Sequence, residues 1–223
     1  MRKKLLELFA GARCIGKAAE QLGWNVTSVD WTAYEGIDLV MDINNLTDRT
    51  LTFTPDHVHA SFDCTTYTIA AISHHRNGTE PKSDYAKKCD QVNQHVIRLI
   101  KHWKSINPNL TFTFENPRGM LRHMPFMKEF KRHTVWYCQY GDDRAKPTDI
   151  WTNIENWKPK AECHNYKYDK DGNVINKHCH HQSARRGAKT GTQGRKNSHL
   201  RSLMPHELCL EIISSIKDNN FTT

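Results

Sequence analysis

Three stretches of the chain place ligand-binding or reactive side chains where an apolar run stops. In Phe9-Ala10-Gly11-Ala12-Arg13-Cys14-Ile15-Gly16, small residues let the backbone approach a ligand, and the start of the following helix offers unpaired N–H groups. Asp30 ends the next apolar run, where a carboxylate can take two ribose hydroxyls, and Trp31 beside it can stack on a purine ring. Asp42, followed by Ile43, ends a third run and can accept from an exocyclic amine. Taken singly, Gly11 and Gly16 read as turn glycines. The three ends in series describe a site for a nucleoside cofactor without a pyrophosphate cradle.

The second stretch is Ser61-Phe62-Asp63-Cys64-Thr65-Thr66. A thiol in a polar setting after a strand is a nucleophile if its neighbours favour the thiolate; otherwise it is a small buried hydrophobe. The third is Glu115-Asn116-Pro117. Its carboxyl serves as a general acid if burial raises its pKa, and as a loop cap if not.

Hydropathy patterning supplies the elements that hold these residues. Short apolar runs at 4–9, 26–31, 38–43, 57–63, 110–116, 134–140 and 148–153 read as strands. A helix is expected from the glycine-containing turn to Gln21, with Gly23 as its stop. A long helix is expected from about Ser83 to Ile106, with Val92, Val96, Leu99, Ile100, Trp103 and Ile106 on one face. A last helix runs from about Pro205 to Ile216. Alternating strands and helices imply a mostly parallel sheet, and the two closely spaced strands between 134 and 153 an antiparallel pair at its edge. Such sheets bind ligands beyond the carboxyl ends of their strands, where the unusual residues lie.

In this order, FAG with Arg13 and Ile15-Gly16, Asp30-Trp31, Asp42-Ile43, DCTTYT, FENPRGML, QYG with RAKPTDIWTN, and LRSLMPHELC resemble the ordered motifs of the DNA cytosine C5 methyltransferases, in particular the compact phage-encoded type. The resemblance implies an α/β, Rossmann-like S-adenosylmethionine-dependent methyltransferase fold with a mixed seven-stranded sheet. The catalytic domain would occupy 1–153 and 200–223, and a small basic target-recognition region 154–199. It implies S-adenosylmethionine bound through Phe9, Ala10, Gly11, Asp30, Trp31, Asp42 and Ile43, and a catalytic set of Cys64, Glu115, Asn116 and Arg144. Cys64 would add to C6 of a cytosine flipped out of double-stranded DNA, and Glu115 would hold or protonate N3. Arg144 and Lys146 fall where the family supplies a basic contact to the flipped nucleotide. The same nucleophile would serve an RNA cytosine C5 methyltransferase, and a non-catalytic DNA-binding relative is the third reading. The chain departs from the family at three points: Phe62-Asp63 replaces the usual Pro-Pro, Pro117 the commoner Val, and Arg13 a glycine. A carboxylate at Asp63 opposes thiolate formation at Cys64 unless it points away.

The net charge of +8 is concentrated. Between Trp157 and Met204 there are eleven Lys and Arg against three Asp and Glu, while the remaining chain is balanced. Such a segment is a polyanion contact or a solvated basic loop. Within it, Arg185, Arg186, Lys189, Thr190, Thr192, Gln193, Arg195 and Lys196 are side-chain types that meet base edges and phosphates. Cys163-His164 and His178-Cys179-His180-His181 flank a hairpin expected to turn at Asp171-Gly172. Cys163, His178, Cys179 and His180 are weak zinc candidates, because adjacent strand residues point to opposite faces and the spacing misses the usual zinc form. A histidine-rich hairpin facing nucleic acid is preferred, and no metal is expected. Seven cysteines, odd in number and without an export signal, read as reduced thiols. No run approaches the roughly 18 apolar residues of a membrane span. A monomeric, cytoplasmic protein of a bacterial or phage-infected cell is expected.

Overall fold

The computed structural model describes residues 2–163, 170–171, 179–181 and 198–216. The main sheet is built from β1 (Lys4–Leu8), β2 (Asn25–Asp30), β3 (Leu39–Val40), β4 (His57–Ser61), β5 (Thr111–Pro117), β6 (Arg132–Trp136) and β7 (Pro147–Thr152). Their order is β3-β2-β1-β4-β5-β7-β6. The first five are parallel, and β7 is antiparallel to both β5 and β6. A single reversed strand near one edge of a doubly wound sheet is the Rossmann-like methyltransferase topology expected above. β6 therefore runs in the same direction as β1 to β5, so its carboxyl end lies on their edge of the sheet.

Helices cover both faces. α1 (Cys14–Gln21) and α3 (His206–Ser214) bury Ile15, Ala18, Leu208 and Ile212 against Leu5, Val135 and Ile150 on one side. α2 (Asp84–Ile106) buries Val92, Val96, Leu99, Ile100 and Trp103 against Leu6, Val58 and Phe114 on the other. Ser83 caps α2 by accepting from the Ala86 N–H, with Asp84 complementing the helix dipole in the first turn. α1 lacks a capping side chain at its own N-cap. The Glu7 carboxylate, reaching from β1, accepts the Ile15 N–H at 3.1 Å instead.

Three expectations need correction. The third strand is only two residues long, because the Asp38 carboxylate takes the Ser28 N–H and Asp42 that of Asn44, replacing ladder bonds with local ones. The strand expected over 134–140 ends at Trp136; Tyr137–Tyr140 coil into a 3-10 turn that Gly141 ends at φ +82°. Ile106, placed on the buried face of α2, is 56% exposed at its last turn. The hairpin around Asp171-Gly172 and the basic loop after it fall largely outside the described residues. No helix among the described residues is long and apolar enough to cross a membrane.

Candidate active site

The carboxyl edge of the sheet carries two adjoining pockets. The first is lined by Phe9, Asp30, Trp31, Asp42 and Ile43, with Tyr85, Lys88, Val92 and Asn93 from α2. Asp30 accepts from the backbone N–H of Gly11 at 3.0 Å and of Thr32 at 2.9 Å, so its carboxylate is fixed at the end of β2. Each carboxylate oxygen can still accept a further hydrogen bond. Trp31 is 64% exposed at the rim. Asp42 accepts from the Asn44 N–H and pairs with Lys88 at 3.1 Å, and these hold its carboxyl below the usual range. Ala10 and Gly11 line the neighbouring pocket rather than this one.

The loop between β1 and α1 uses left-handed backbone at Phe9 (φ 52°), Gly11 (φ 49°) and Arg13 (φ 57°). Glycine at position 13 would adopt that conformation freely; arginine costs about 1–2 kcal/mol. The side chain offsets this cost with its own bonds. Its Nε donates to Ser28 at 2.8 Å, and the guanidinium pairs with Glu20. The departure at Arg13 thus has a local structural reason.

The second pocket holds Cys64, with Glu115, Pro117 and Arg118 from β5 and the residues after it, Lys146 from the loop before β7, and Arg201 and Met204. Phe9, Ser61 and Asp63 belong to the walls of both pockets, so the two sites adjoin. Ser61 and Glu115 are register partners across β4 and β5, which brings the Cys64 loop and the carboxyl together. Glu115 is 5% exposed, and burial raises its pKa. Its Oε1 accepts from the Tyr137 hydroxyl at 2.9 Å and lies 4.0 Å from Lys146 Nζ. Asn116 donates from Nδ2 to the Phe62 carbonyl at 2.8 Å, tying the end of β5 to the residues before Cys64. Its Oδ1 is buried without a hydrogen-bond partner among the described residues.

Burial pushes the Cys64 thiol up to about 11, with Glu115 and Asp63 adding to the effect and Lys146 opposing it. Asp63 is turned towards other partners: it accepts from the Thr65 N–H at 2.7 Å and from the Tyr85 hydroxyl. The Asp63 carboxylate is therefore hydrogen-bonded away from the sulfur, although its charge is still felt there.

Arg144 is not in the wall of this pocket. Its guanidinium is 1% exposed, pairs with Asp142, and donates to the carbonyls of Arg201 and Leu203 at 3.0 Å. It clamps the segment before α3 to the turn before β7. Lys146, which donates to the Arg201 carbonyl at 2.9 Å and lies 4.6 Å from the Tyr137 ring, is the cation facing Glu115.

Several positioning residues escaped sequence reasoning. The Arg76 guanidinium donates to the Thr66 carbonyl and hydroxyl, and pairs with Asp90 at 2.6 Å. Asp90 in turn accepts from Tyr67 at 2.6 Å, and Tyr67 from Asn93. This buried network anchors the loop after Cys64 to α2. Gly119 packs beneath the same loop, where a Cβ would meet the Tyr67 carbonyl oxygen at 2.4 Å. Glu7 is 2% exposed, and burial lifts its carboxyl to about 7. A carboxyl set among Leu5, Leu6 and Leu8 was the available signal for Glu7.

Of the weak metal candidates, Cys163 and Cys179 lie close to each other, whereas His180 donates from Nε2 to the Asp142 carbonyl, 2.9 Å away. His178 lies outside the described residues, as do Arg185, Arg186, Lys189, Thr190, Thr192, Gln193, Arg195 and Lys196.

No protein-family model and no curated protein matches the chain. Among solved structures, a triple mutant of Spodoptera frugiperda DNMT2 aligns over 73% of this chain and 53% of its own, at 18% identity and a TM-score of 0.46. S. pombe Dnmt2 methyltransferase aligns over 78% of this chain and 57% of its own, at 15% identity and a TM-score of 0.49. The chain spans little more than half the length of these two proteins.

Proposed function

We propose that this protein transfers a methyl group from S-adenosylmethionine to C5 of a cytosine flipped out of double-stranded DNA. The observation that carries the reading is the shared wall: a thiol and a buried carboxyl occupy one pocket, and the adjoining pocket presents Asp30, Trp31 and Asp42. Those three side chains suit an adenosine, with Asp30 for ribose hydroxyls, Trp31 for the purine face and Asp42 for an exocyclic amine. Bound there, S-adenosylmethionine supplies an electrophilic methyl group.

Cytosine C5 is a poor nucleophile while the ring is aromatic. Addition of the Cys64 thiolate to C6 breaks that aromaticity, and a carboxyl whose pKa is raised by burial, as that of Glu115 is, can hold or protonate N3 as charge builds on the ring. C5 then takes the methyl group, a base removes the C5 proton, and the resulting elimination expels Cys64 and restores the ring. Lys146 assists by favouring the thiolate. Base flipping is required because C6 cannot be reached within the stack. The basic 154–199 region would contact the duplex, with the protein acting as a monomer in the cytoplasm.

Nucleoside mass spectrometry tests this on DNA and RNA from a host without its own cytosine methylase, expressing either this protein or Cys64→Ala. The reading predicts 5-methylcytosine in DNA alone, absent from the mutant. The mark in RNA alone would keep the reaction and overturn the polymer. No mark in either from folded protein would overturn both.

A further inference from the structure

The site described above leaves three thiols and an imidazole without a role. Cys138 lies in the 3-10 turn after β6, while Cys163, Cys179 and His181 come from two separate stretches of the basic segment. One ligand atom from each lies within 4.8 Å of every other, and Cys163 Sγ is 3.7 Å from His181 Nδ1. We propose that Cys138, Cys163, Cys179 and His181 hold a structural zinc ion that staples the basic segment to the sheet domain.

The geometry suits the ion. Tetrahedral zinc with Zn–S of about 2.3 Å and Zn–N of about 2.0–2.1 Å places neighbouring ligand atoms roughly 3.5–3.8 Å apart. The observed spread needs only small side-chain adjustments to reach that arrangement. Three thiolates and a neutral imidazole select a soft or borderline cation over magnesium or calcium. A disulfide does not explain the cluster: it would use two of the three sulfurs, and all seven cysteines are free. Four protein ligands close the coordination shell, so this ion is structural, with no open position for a substrate.

The segment also needs such a link. Fewer than 50 residues with a strong basic excess cannot build an adequate core of their own. Cys138 and His181 are 3% and 1% exposed, so the cluster sits at the base of the segment, against the sheet domain. Cys138 follows Tyr137, whose hydroxyl bonds Glu115, and the ion would therefore couple the root of the basic segment to the wall of the Cys64 pocket. The proposal stands independently of the methyl-transfer reading.

The test is elemental analysis of full-length protein purified without a histidine tag, followed by cobalt substitution of the chelated protein. The expected results are about one zinc per chain, and tetrahedral thiolate–cobalt absorption that one equivalent of zinc removes. Cys163→Ser and His181→Ala should each weaken metal binding more than roughly tenfold, while His180→Ala should retain it. Folded wild-type protein that takes up neither zinc nor cobalt would overturn the proposal. So would metal loss in His180→Ala but not His181→Ala, or a disulfide among Cys138, Cys163 and Cys179 in non-reducing peptide maps. The wild-type cobalt spectrum keeps the test decisive if a ligand variant fails to fold.

Discussion

Cys64 and Cys138 both follow the carboxyl ends of strands that run in the same direction, β4 and β6, yet their surroundings differ in kind. Cys64 opens into a pocket beside Lys146 and Glu115, and its loop is held from behind by the Arg76, Asp90 and Tyr67 network. Cys138 is buried among two more thiols and an imidazole. The same residue type at equivalent edges is thus set up for different chemistry by its neighbours. A cation and an open space suit addition to a substrate, whereas converging soft ligands suit a metal. Residue identity alone carries neither role.

The sharpest way to break this contrast is to remove the sulfur from the open pocket. Cys64→Ala is expected to reduce methyl transfer to background while leaving the fold intact, read by methyl incorporation alongside circular dichroism. Next in size is the support behind the loop. Arg76→Met strands Asp90 without its buried cation and should cost about 3–5 kcal/mol in urea unfolding.

Glu7, in the wall of the Cys64 pocket, sharpens the comparison further. Its carboxyl is raised from the ordinary 4.5 to about 7, chiefly by burial. The folded state therefore binds more protons between these values, and stability falls as pH rises through them. Linkage puts the total loss at about 3 kcal/mol, complete above pH 7. Glu7→Gln should flatten that part of the stability–pH profile, measured by unfolding from pH 4 to pH 8 on the order of one unit apart.

Smaller effects follow at the thiol itself. With Cys64 raised to about 11, its alkylation by iodoacetamide should be slower at pH 8 than that of a free thiol and should climb steadily into the alkaline range. Lys146→Met should slow it further, by about severalfold, because the ammonium lowers the thiol's pKa. Tyr137→Phe is expected to cost only about 1 kcal/mol in stability, the worth of one buried hydrogen bond.

The strand ends bearing Asp30, Cys64 and Glu115, and the buried face of α2 from Val92 to Trp103, were legible in the sequence because alternation and helical spacing are local properties. Partnerships across the fold were not. Arg144 sits close to Lys146 in the chain, and proximity suggests a shared role, but its bonds to the carbonyls before α3 depend on how that segment docks. Cys138 and His181 lie too far apart in sequence for any spacing rule to join them, and the turn that buries Cys138 has the aromatic-rich composition of a strand. The short β3 escaped because two aspartates competed with the ladder for backbone N–H groups.

The most direct test of the central claim is a covalent trap. Protein, S-adenosylmethionine and a DNA duplex containing 5-fluorocytosine in varied sequence contexts would be incubated, and the products separated under denaturing conditions and mapped by peptide mass spectrometry. Fluorine at C5 prevents the final elimination, so the account predicts a stable protein–DNA adduct whose modified peptide contains Cys64, and none with Cys64→Ala. Folded protein that binds the duplex but forms no adduct, or an adduct mapped to any other cysteine, would contradict it.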